Sequence, residues 1–130
     1  MSNRDVVAEL YDAFARRDIA AIVARVDPAI TVVQTPDLPW GGAFEGVAGL
    51  QRFFGLLTAS VDSRVEVEEY VEASDRVVAV GWTRGQVRAN GAPFDIRVVH
   101  VWTIRDGRAL RFEPYIDTPG MLRALGMGES

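Results

Sequence analysis

Two side chains that could transfer protons stand in the second half of the chain. His100 is the only histidine and lies in the middle of the apolar segment Val98–Trp102. Asp117 follows Tyr115 and Ile116 at the end of a strand-like segment. Imidazole and carboxylate groups are the side chains that most often act as general acids and bases in enzymes. They are therefore the first candidates for catalytic residues.

Each of these residues also has a purely structural interpretation. A histidine inside an apolar strand needs a hydrogen-bond partner, and a packed core histidine meets that need without any catalytic role. Asp117 precedes Thr118, Pro119 and Gly120, and an aspartate at that position can cap the turn or the last helix. The two interpretations differ in whether both side chains reach one cavity.

Aromatic and polar side chains supply candidate walls for a ligand pocket. Tyr11 carries a phenol on the first predicted helix, and Gln34 carries an amide that can hydrogen-bond a ligand carbonyl. The other candidates for ligand contact are Trp40, Phe53, Trp82, Trp102 and Tyr115. Core packing is the alternative for these aromatic residues, and a dimer interface is a further alternative for Trp82 and Trp102.

The composition narrows the classes of chemistry and of partner. The chain has 130 residues, a net charge of −4, no cysteine, and 14 basic residues that are all arginine. These counts exclude thiolate nucleophiles, cysteine–zinc sites and lysine Schiff bases. The arginines are scattered rather than clustered, so we expect no nucleic-acid partner. The length predicts a single domain over residues 1–130.

The first residues of the chain and the lengths of its apolar stretches indicate where the protein is located in the cell. The first ten residues, MSNRDVVAEL, contain no apolar signal region, and no apolar stretch is long enough to cross a bilayer. We therefore expect a cytoplasmic protein that does not bind membranes.

The first half of the chain has the periodicity of helices. Apolar residues recur at spacings of three and four and predict a helix that is capped by Ser2 or Asn3 and ends near Arg16. Asp18 can cap a second, shorter helix. The rest of this half is interpreted as a short strand, a loop and a third helix, at Ile30–Val33, Thr35–Gly46 and Val47–Ala59.

The second half has the pattern of an antiparallel meander. Alternating and β-branched residues predict strands, and Asn90-Gly91 and Asp106-Gly107 predict hairpins. The order ααβαββββ indicates the α+β class. Three helices cannot cover both faces of the sheet, so we expect a homodimer through the uncovered sheet face. The four predicted strands are Arg64–Ala73, Val77–Val87, Phe94–Ile104 and Arg108–Asp117.

Four passages, taken in order and at this spacing, resemble one known superfamily. They are YDAFARRD at 11–18, PWGGAFEG at 39–46, VVHVWTIRDG at 98–107 and RFEPYIDT at 111–118. With the element order, they resemble the nuclear transport factor 2-like (NTF2-like) superfamily, and within it the SnoaL-like and ketosteroid-isomerase-like group. The resemblance implies a curved antiparallel sheet wrapped around three helices, forming a cone with an apolar pocket. It also implies acid–base chemistry without a cofactor or a metal.

The resemblance further implies roles for single residues. In SnoaL-like cyclases and limonene-epoxide-hydrolase-like enzymes, an aspartate at a similar strand end acts as the base, which implies that role for Asp117. A histidine on a similar strand of the cyclases implies that His100 orients the base or stabilises an enolate. The tyrosine donor and the aspartate base of ketosteroid isomerases align near Leu10 and Gln34, so steroid-isomerase chemistry is not expected.

The resulting prediction is an enzyme that binds a small, largely apolar carbonyl compound and cyclises or isomerises it. A non-catalytic ligand-binding or dimeric scaffold protein is the alternative. Epoxide hydrolysis is a further alternative, and it needs an arginine between two carboxylates in the cavity. Asp95, Arg97 and Arg84 lie near the same predicted sheet and offer such groups.

Overall fold

The computed structural model describes residues 1–127 and has the predicted α+β architecture. Within those residues, no helix combines the length and the apolar character that a membrane crossing needs. The helices are α1 (Asn3–Ala15), α2 (Ile19–Ala24), α3 (Gly46–Ser60) and α4 (Thr118–Ala124). The strands are β1 (Val26–Gln34), β2 (Gly42–Glu45), β3 (Val61–Ala73), β4 (Arg76–Val87), β5 (Pro93–Arg105) and β6 (Arg108–Ile116).

The six strands form one curved, unclosed sheet in the order β2-β1-β6-β5-β4-β3. Strands β3 to β6 form the predicted antiparallel meander. Strand β1 pairs antiparallel with β2 but parallel with β6. The sheet is therefore mixed at that one pairing, which corrects the expectation of a wholly antiparallel sheet. Strand β6 returns beside β1 only after the whole meander, a long-range pairing that local patterns do not reveal.

Two boundaries in the first half differ from those that the sequence predicts. Strand β1 begins at Val26 rather than Ile30, with a register shift against β6 between Val26 and Thr31. Strand β2 lies inside the segment that was expected to be an irregular loop. Its Phe44 is buried and pairs with Val32 of β1. Burial of this aromatic ring outweighs the turn propensity of the surrounding glycines and prolines.

Helix α1 begins where the sequence predicts, because its first turn is closed by a capping box. The Ser2 hydroxyl accepts a hydrogen bond from the Asp5 backbone N–H, and the Asp5 carboxylate accepts one from the Ser2 backbone N–H, each over 3.1 Å. One stripe of the helix is buried and consists of Val6, Val7, Leu10 and Ala13. This stripe anchors α1 in the hydrophobic core that the concave face of the sheet also lines.

The pairing of β3 with β4 contains a bulge that bends the sheet. Val67 pairs with Gly81 and Glu69 pairs with Val80, so Glu68 is an unpaired bulge residue. A Cβ atom on Gly81 would lie only 2.0 Å from the carbonyl oxygen of Glu66. The absent side chain therefore lets the two backbones approach closely, and the strands bend around the helices at this point.

Candidate functional site

The concave face of the sheet and the helices line a partly open cavity of about 80 Å³. No aspartate, glutamate, arginine or lysine of residues 1–127 lines it. Its apolar lining comprises Leu10, Phe14, Ile22, Val26, Leu50, Phe53, Phe54, Leu57, Val61, Val65, Val98, Phe112, Pro114, Ile116 and Met121. Its remaining lining residues carry a polar side-chain atom and are Tyr11, Gln34, Trp40, Ser63, Thr83, His100 and Trp102.

The size of the cavity limits what it can hold. One buried water needs about 10–15 Å³ of such space, and an apolar cavity of about 150 Å³ is known to hold benzene. A cavity of about 80 Å³ therefore has room for a few water molecules or for a ligand smaller than benzene. A larger ligand requires the lining side chains to move apart.

His100 lies on the wall of this cavity and is 6% exposed. It points inward because alternate residues of β5, from Phe94 to Ile104, face the helices. The ring of Tyr11 stacks on it at a centroid distance of 5.8 Å, and the edge of Phe112 approaches it at 5.2 Å. Burial among these groups lowers the pKa of His100 from 6.5 to about 3. The imidazole is therefore neutral at physiological pH.

Tyr11 connects α1 to β5 through its phenol oxygen. Oη of Tyr11 lies 2.6 Å from Nδ1 of His100 and accepts a hydrogen bond from Nε1 of Trp102 over 3.0 Å. Burial raises the pKa of the phenol well above its usual value of 10. The hydroxyl is thus neutral and engaged with two protein groups. Tyr11 also lines the cavity, and its contact with a ligand stays a prediction.

The other ring nitrogen of His100 opens on the cavity. Nε2 makes no hydrogen bond to any of residues 1–127. It is also not completely buried. A ligand in the cavity can therefore reach it.

Gln34 brings a second polar group to the same cavity from the end of β1. Its Oε1 accepts a hydrogen bond from the backbone N–H of Thr35 over 2.9 Å, so the amide oxygen is turned toward the backbone. The amide nitrogen has no protein partner within residues 1–127 and is left as a donor for the cavity. Sequence reasoning selected Gln34 for a hydrogen bond to a ligand carbonyl, and its position suits that role.

Asp117 does not line the cavity. Its exposed side chain is the N-cap of α4 and accepts a hydrogen bond from the backbone N–H of Gly120 over 3.1 Å. The structure thus does not bring His100 and Asp117 into one site, although the adjacent Ile116 does reach the cavity. Strand β6 has a bulge at Leu110, which sets Pro114 opposite His100 in the ladder. The role of Asp117 as a base remains a prediction.

Trp82 and Tyr115 lie on the convex face of the sheet, which corrects the expectation that they form walls of the pocket. Trp82 is flanked by the guanidinium groups of Arg84 and Arg97, at 4.9 and 4.7 Å from its ring. Tyr115 is 56% exposed, and its hydroxyl donates to Glu113 over 2.9 Å. Trp102, by contrast, faces the cavity, so the alternative that it belongs to a dimer face is wrong.

An arginine between two carboxylates does exist, but it lies outside the cavity. Arg84 pairs with Glu66 over 2.5 Å and with Asp95 over 2.8 Å, and Arg97 pairs with Glu68. All of these groups lie on the convex face or at its edge. The arginine and carboxylate set that epoxide hydrolysis needs is therefore not found at the cavity within residues 1–127.

Sequence reasoning missed several residues of the cavity. Ser63 and Thr83 contribute hydroxyl groups from β3 and β4, and Phe112 packs against both His100 and Trp102. Thr83 has the same parity in β4 as the buried residues Val77 and Ala79, so the alternation of the sequence indicates that it points inward. Phe112 depends on the bulge in β6, which no local pattern indicates.

Comparison with known proteins agrees with this geometry. Residues 7–112 match the family of SnoaL-like domains. An NTF2-like protein of unknown function from Burkholderia pseudomallei is similar, with 31% identity, a TM-score of 0.89, and coverage of 96% of this chain and 98% of that one. TerC, co-crystallised with polyporic acid, is 28% identical with a TM-score of 0.88, covering 95% and 98% of the two chains.

A more distant structure shows the fold alone. A protein with a ketosteroid isomerase-like fold from Catenulispora acidiphila, in complex with trimethylamine, is 15% identical over 94% of this chain and 92% of that chain, with a TM-score of 0.81. No curated protein sequence matches the chain significantly.

Proposed function

The chain belongs to the SnoaL-like domain family, and from this premise we propose that its cavity binds a small, uncharged, largely apolar carbonyl compound. One observation carries the proposal: a partly open, apolar cavity into which His100 and Gln34 direct free ring and amide nitrogens. An apolar ligand body replaces water in such a pocket favourably, and a few placed polar groups orient it. A carbonyl oxygen is the complement of an amide donor.

A relative supports small-molecule binding as the property to test first. TerC, at 28% identity, was co-crystallised with polyporic acid. The cavity of about 80 Å³ favours a smaller ligand for this chain, or one that displaces its lining. The substrate class is therefore inferred from the lining of this cavity rather than from that ligand.

Ligand binding is tested by titration of the purified protein with acetone, followed by chemical-shift changes at the backbone amides of residues that line the cavity, a signal that both variants keep. We expect saturable shifts, and a loss of affinity of about tenfold in Gln34→Leu, because one hydrogen bond to the ligand is lost. Gln86→Leu is the matched control, since Gln86 is exposed and does not line the cavity. Equal affinity in the two variants would contradict the proposal.

Acid–base catalysis without a cofactor is the second candidate function. A hydrogen-bond donor inside an apolar pocket can stabilise the oxygen of an enolate, and this favours a cyclase or isomerase reaction over simple binding. Asp117 is kept as the candidate base, although its carboxylate has to leave the cap of α4 to reach a ligand. Asp117→Asn can retain the cap, because both residues are good N-caps. Loss of turnover on a panel of ketones at unchanged melting temperature would support catalysis by Asp117. Unchanged turnover would exclude Asp117 as the base, and a wild-type protein without turnover would leave ligand binding alone.

We also propose that two copies of the chain pair through the convex face of the sheet. The face exposes Val99 and Tyr115 beside the ion pairs of Arg84 and Arg97. Apolar side chains surrounded by charges of both signs can complement the same surface of a second copy. The concave face is already covered by the helices, so this assembly leaves the cavity intact.

A further inference from the structure

Three side chains that meet at the cavity wall form one chain of hydrogen bonds. Nε1 of Trp102 donates to Oη of Tyr11 over 3.0 Å, and the same oxygen lies 2.6 Å from Nδ1 of His100. Tyr11 comes from α1, whereas His100 and Trp102 point inward from β5. The chain ends at Nε2 of His100, the ring nitrogen that opens on the cavity.

The chemistry of the three groups determines where the hydrogens lie. An indole nitrogen is a donor only, so the phenol oxygen accepts from Trp102. If Nδ1 of His100 carried a hydrogen, the phenol hydrogen of Tyr11 would need another acceptor, and the hydrogen bonds of residues 1–127 provide none. A buried donor without a partner is strongly disfavoured, whereas an Nε2–H group opens on the cavity, where a water molecule or a ligand oxygen can accept its hydrogen. The phenol therefore donates to Nδ1, and a neutral ring then carries its hydrogen on Nε2.

We propose that Tyr11 and Trp102 are positioning residues that hold His100 as the Nε2–H tautomer, and that His100 thereby donates to an oxygen atom of an uncharged ligand. The ligand part of this inference rests on the proposed function, whereas the tautomer part stands without it. Burial, which lowers the pKa of His100 to about 3, keeps the ring in this neutral form.

The tautomer selects the class of ligand. A ketone, an aldehyde, an ester or an amide offers the oxygen acceptor that an Nε2–H group needs. An ammonium group has no acceptor for this N–H, and no carboxylate of residues 1–127 lines the cavity to balance its charge. A carboxylate ligand would likewise meet no arginine or lysine there. The site therefore discriminates against ions of both signs.

The same tautomer limits the chemistry of His100. Nε2 already carries a hydrogen, and the lone pair of Nδ1 is occupied by Tyr11, so the ring cannot remove a proton from a ligand. It can stabilise negative charge that develops on a carbonyl oxygen, because its donor is held in place before the reaction. His100 is thus a hydrogen-bond donor in any reaction at this site, and a base has to come from elsewhere.

Nuclear magnetic resonance of ¹⁵N-histidine-labelled protein tests the tautomer directly. His100 is the only histidine, so both ring-nitrogen signals are assigned without further variants. We expect a single tautomer in the unliganded protein, with a protonated Nε2 and an unprotonated, hydrogen-bonded Nδ1. A protonated Nδ1 would overturn the proposal, and this result would leave the binding of a neutral ligand untouched.

Paired variants test the positioning role. Tyr11→Phe removes the phenol oxygen, and we expect the Nδ1 signal to move to the position of a free nitrogen, with the second tautomer becoming detectable. Trp102→Phe, which keeps an aromatic ring but removes the indole donor, is expected to shift the same signal less. Tyr70→Phe is the matched control, because Tyr70 lies near Tyr11 but makes no hydrogen bond to His100. An unchanged Nδ1 signal in Tyr11→Phe would overturn the assignment of Tyr11.

Matched probes test the ligand class. Acetone and isopropylammonium have similar size, but only the ketone has an oxygen acceptor. We expect acetone to shift the Nε2–H signal and to bind at least about tenfold more tightly, a ratio that one satisfied hydrogen bond can provide. Tighter binding of the ammonium ion would overturn the ligand part while the tautomer result stands. Binding of the ketone without any change at Nε2 would also overturn it, yet it would support the proposed function.

Discussion

Oη of Tyr11 lies 2.6 Å from Nδ1 of His100, although the two residues are 89 positions apart in the chain. This contact joins the first helix to the middle of the fifth strand at the wall of the cavity. It gives the only histidine a partner, as the structural interpretation of a buried histidine requires. It also leaves the second ring nitrogen open to the cavity, so the structural and the functional interpretations of His100 hold together.

The depressed pKa of His100 predicts that stability falls in mild acid. Unfolding restores an ordinary pKa near 6.5, so below that value the unfolded chain binds a proton that the folded protein excludes until about pH 3. Stability is therefore fully present above about pH 6.5 and declines as the pH falls toward 3. Between about pH 7.5 and pH 5 we expect a loss of about 2 kcal/mol in the free energy of unfolding.

Urea unfolding at these two pH values measures this loss. A His100→Leu variant is the reference, since it lacks the titrating ring while the carboxylates stay the same. The wild type should lose about 2 kcal/mol more than this variant over the same interval. Equal losses in the two proteins would mean that His100 is not held neutral by burial.

We expect the stability of the curved sheet to be sensitive to substitution of Gly81. A Cβ atom there would approach the carbonyl oxygen of Glu66 to 2.0 Å, so Gly81→Ala forces β3 and β4 apart. We expect a loss of about 2–3 kcal/mol in the free energy of unfolding, by analogy with overpacked cores. Gly55→Ala is the control, because no atom lies within 4 Å of its added Cβ and alanine favours a helix. Thermal unfolding of both variants measures the effect. Similar melting temperatures would contradict the predicted loss of stability in Gly81→Ala.

Asp117 predicts a difference between two substitutions of the same residue. Its side chain caps α4 by accepting a hydrogen bond from Gly120 N–H, which alanine cannot do. We expect Asp117→Ala to lower the free energy of unfolding by about 1 kcal/mol and Asp117→Asn to lower it by only a few tenths. Chemical denaturation measures both values. An equal loss in the two variants would show that the charge of Asp117, rather than its cap, stabilises the fold.

The proposed dimer predicts that one charge on the convex face disrupts assembly. Val99 is 40% exposed near the middle of that face, beside Tyr115 of β6. We expect Val99→Glu to shift the protein toward monomer, because an unpaired carboxylate would be buried at the interface. Sedimentation equilibrium measures the shift. Ile19→Glu is the control, since Ile19 is similarly exposed on α2, away from the sheet. A wild-type monomer, or an equal response of both variants, would contradict the proposed interface.

Local patterns predict most elements of this fold because their signals are carried by neighbouring residues. Ser2 and Asp5 form the capping box at the start of α1, and Asp106-Gly107 closes the hairpin between β5 and β6. The short strand β2 escapes prediction because its pairing partner lies in β1 and its segment has the composition of a loop. The parallel pairing of β1 with β6 escapes for the same reason, since it joins distant parts of the chain.

The residues of the candidate site also fall into those that the sequence indicates and those whose positions only the structure reveals. Composition and pattern by themselves indicate an α+β chain with one histidine in an apolar strand. Of the predicted ligand contacts, Tyr11, Gln34, Trp40, Phe53 and Trp102 line the cavity. Only the tertiary structure decides that Tyr11 meets His100, that Asp117 caps α4, and that Trp82 and Tyr115 face outward. Strand parity is a local property, whereas bulges such as those at Glu68 and Leu110, and contacts between distant elements, depend on how the whole sheet bends to bury its core.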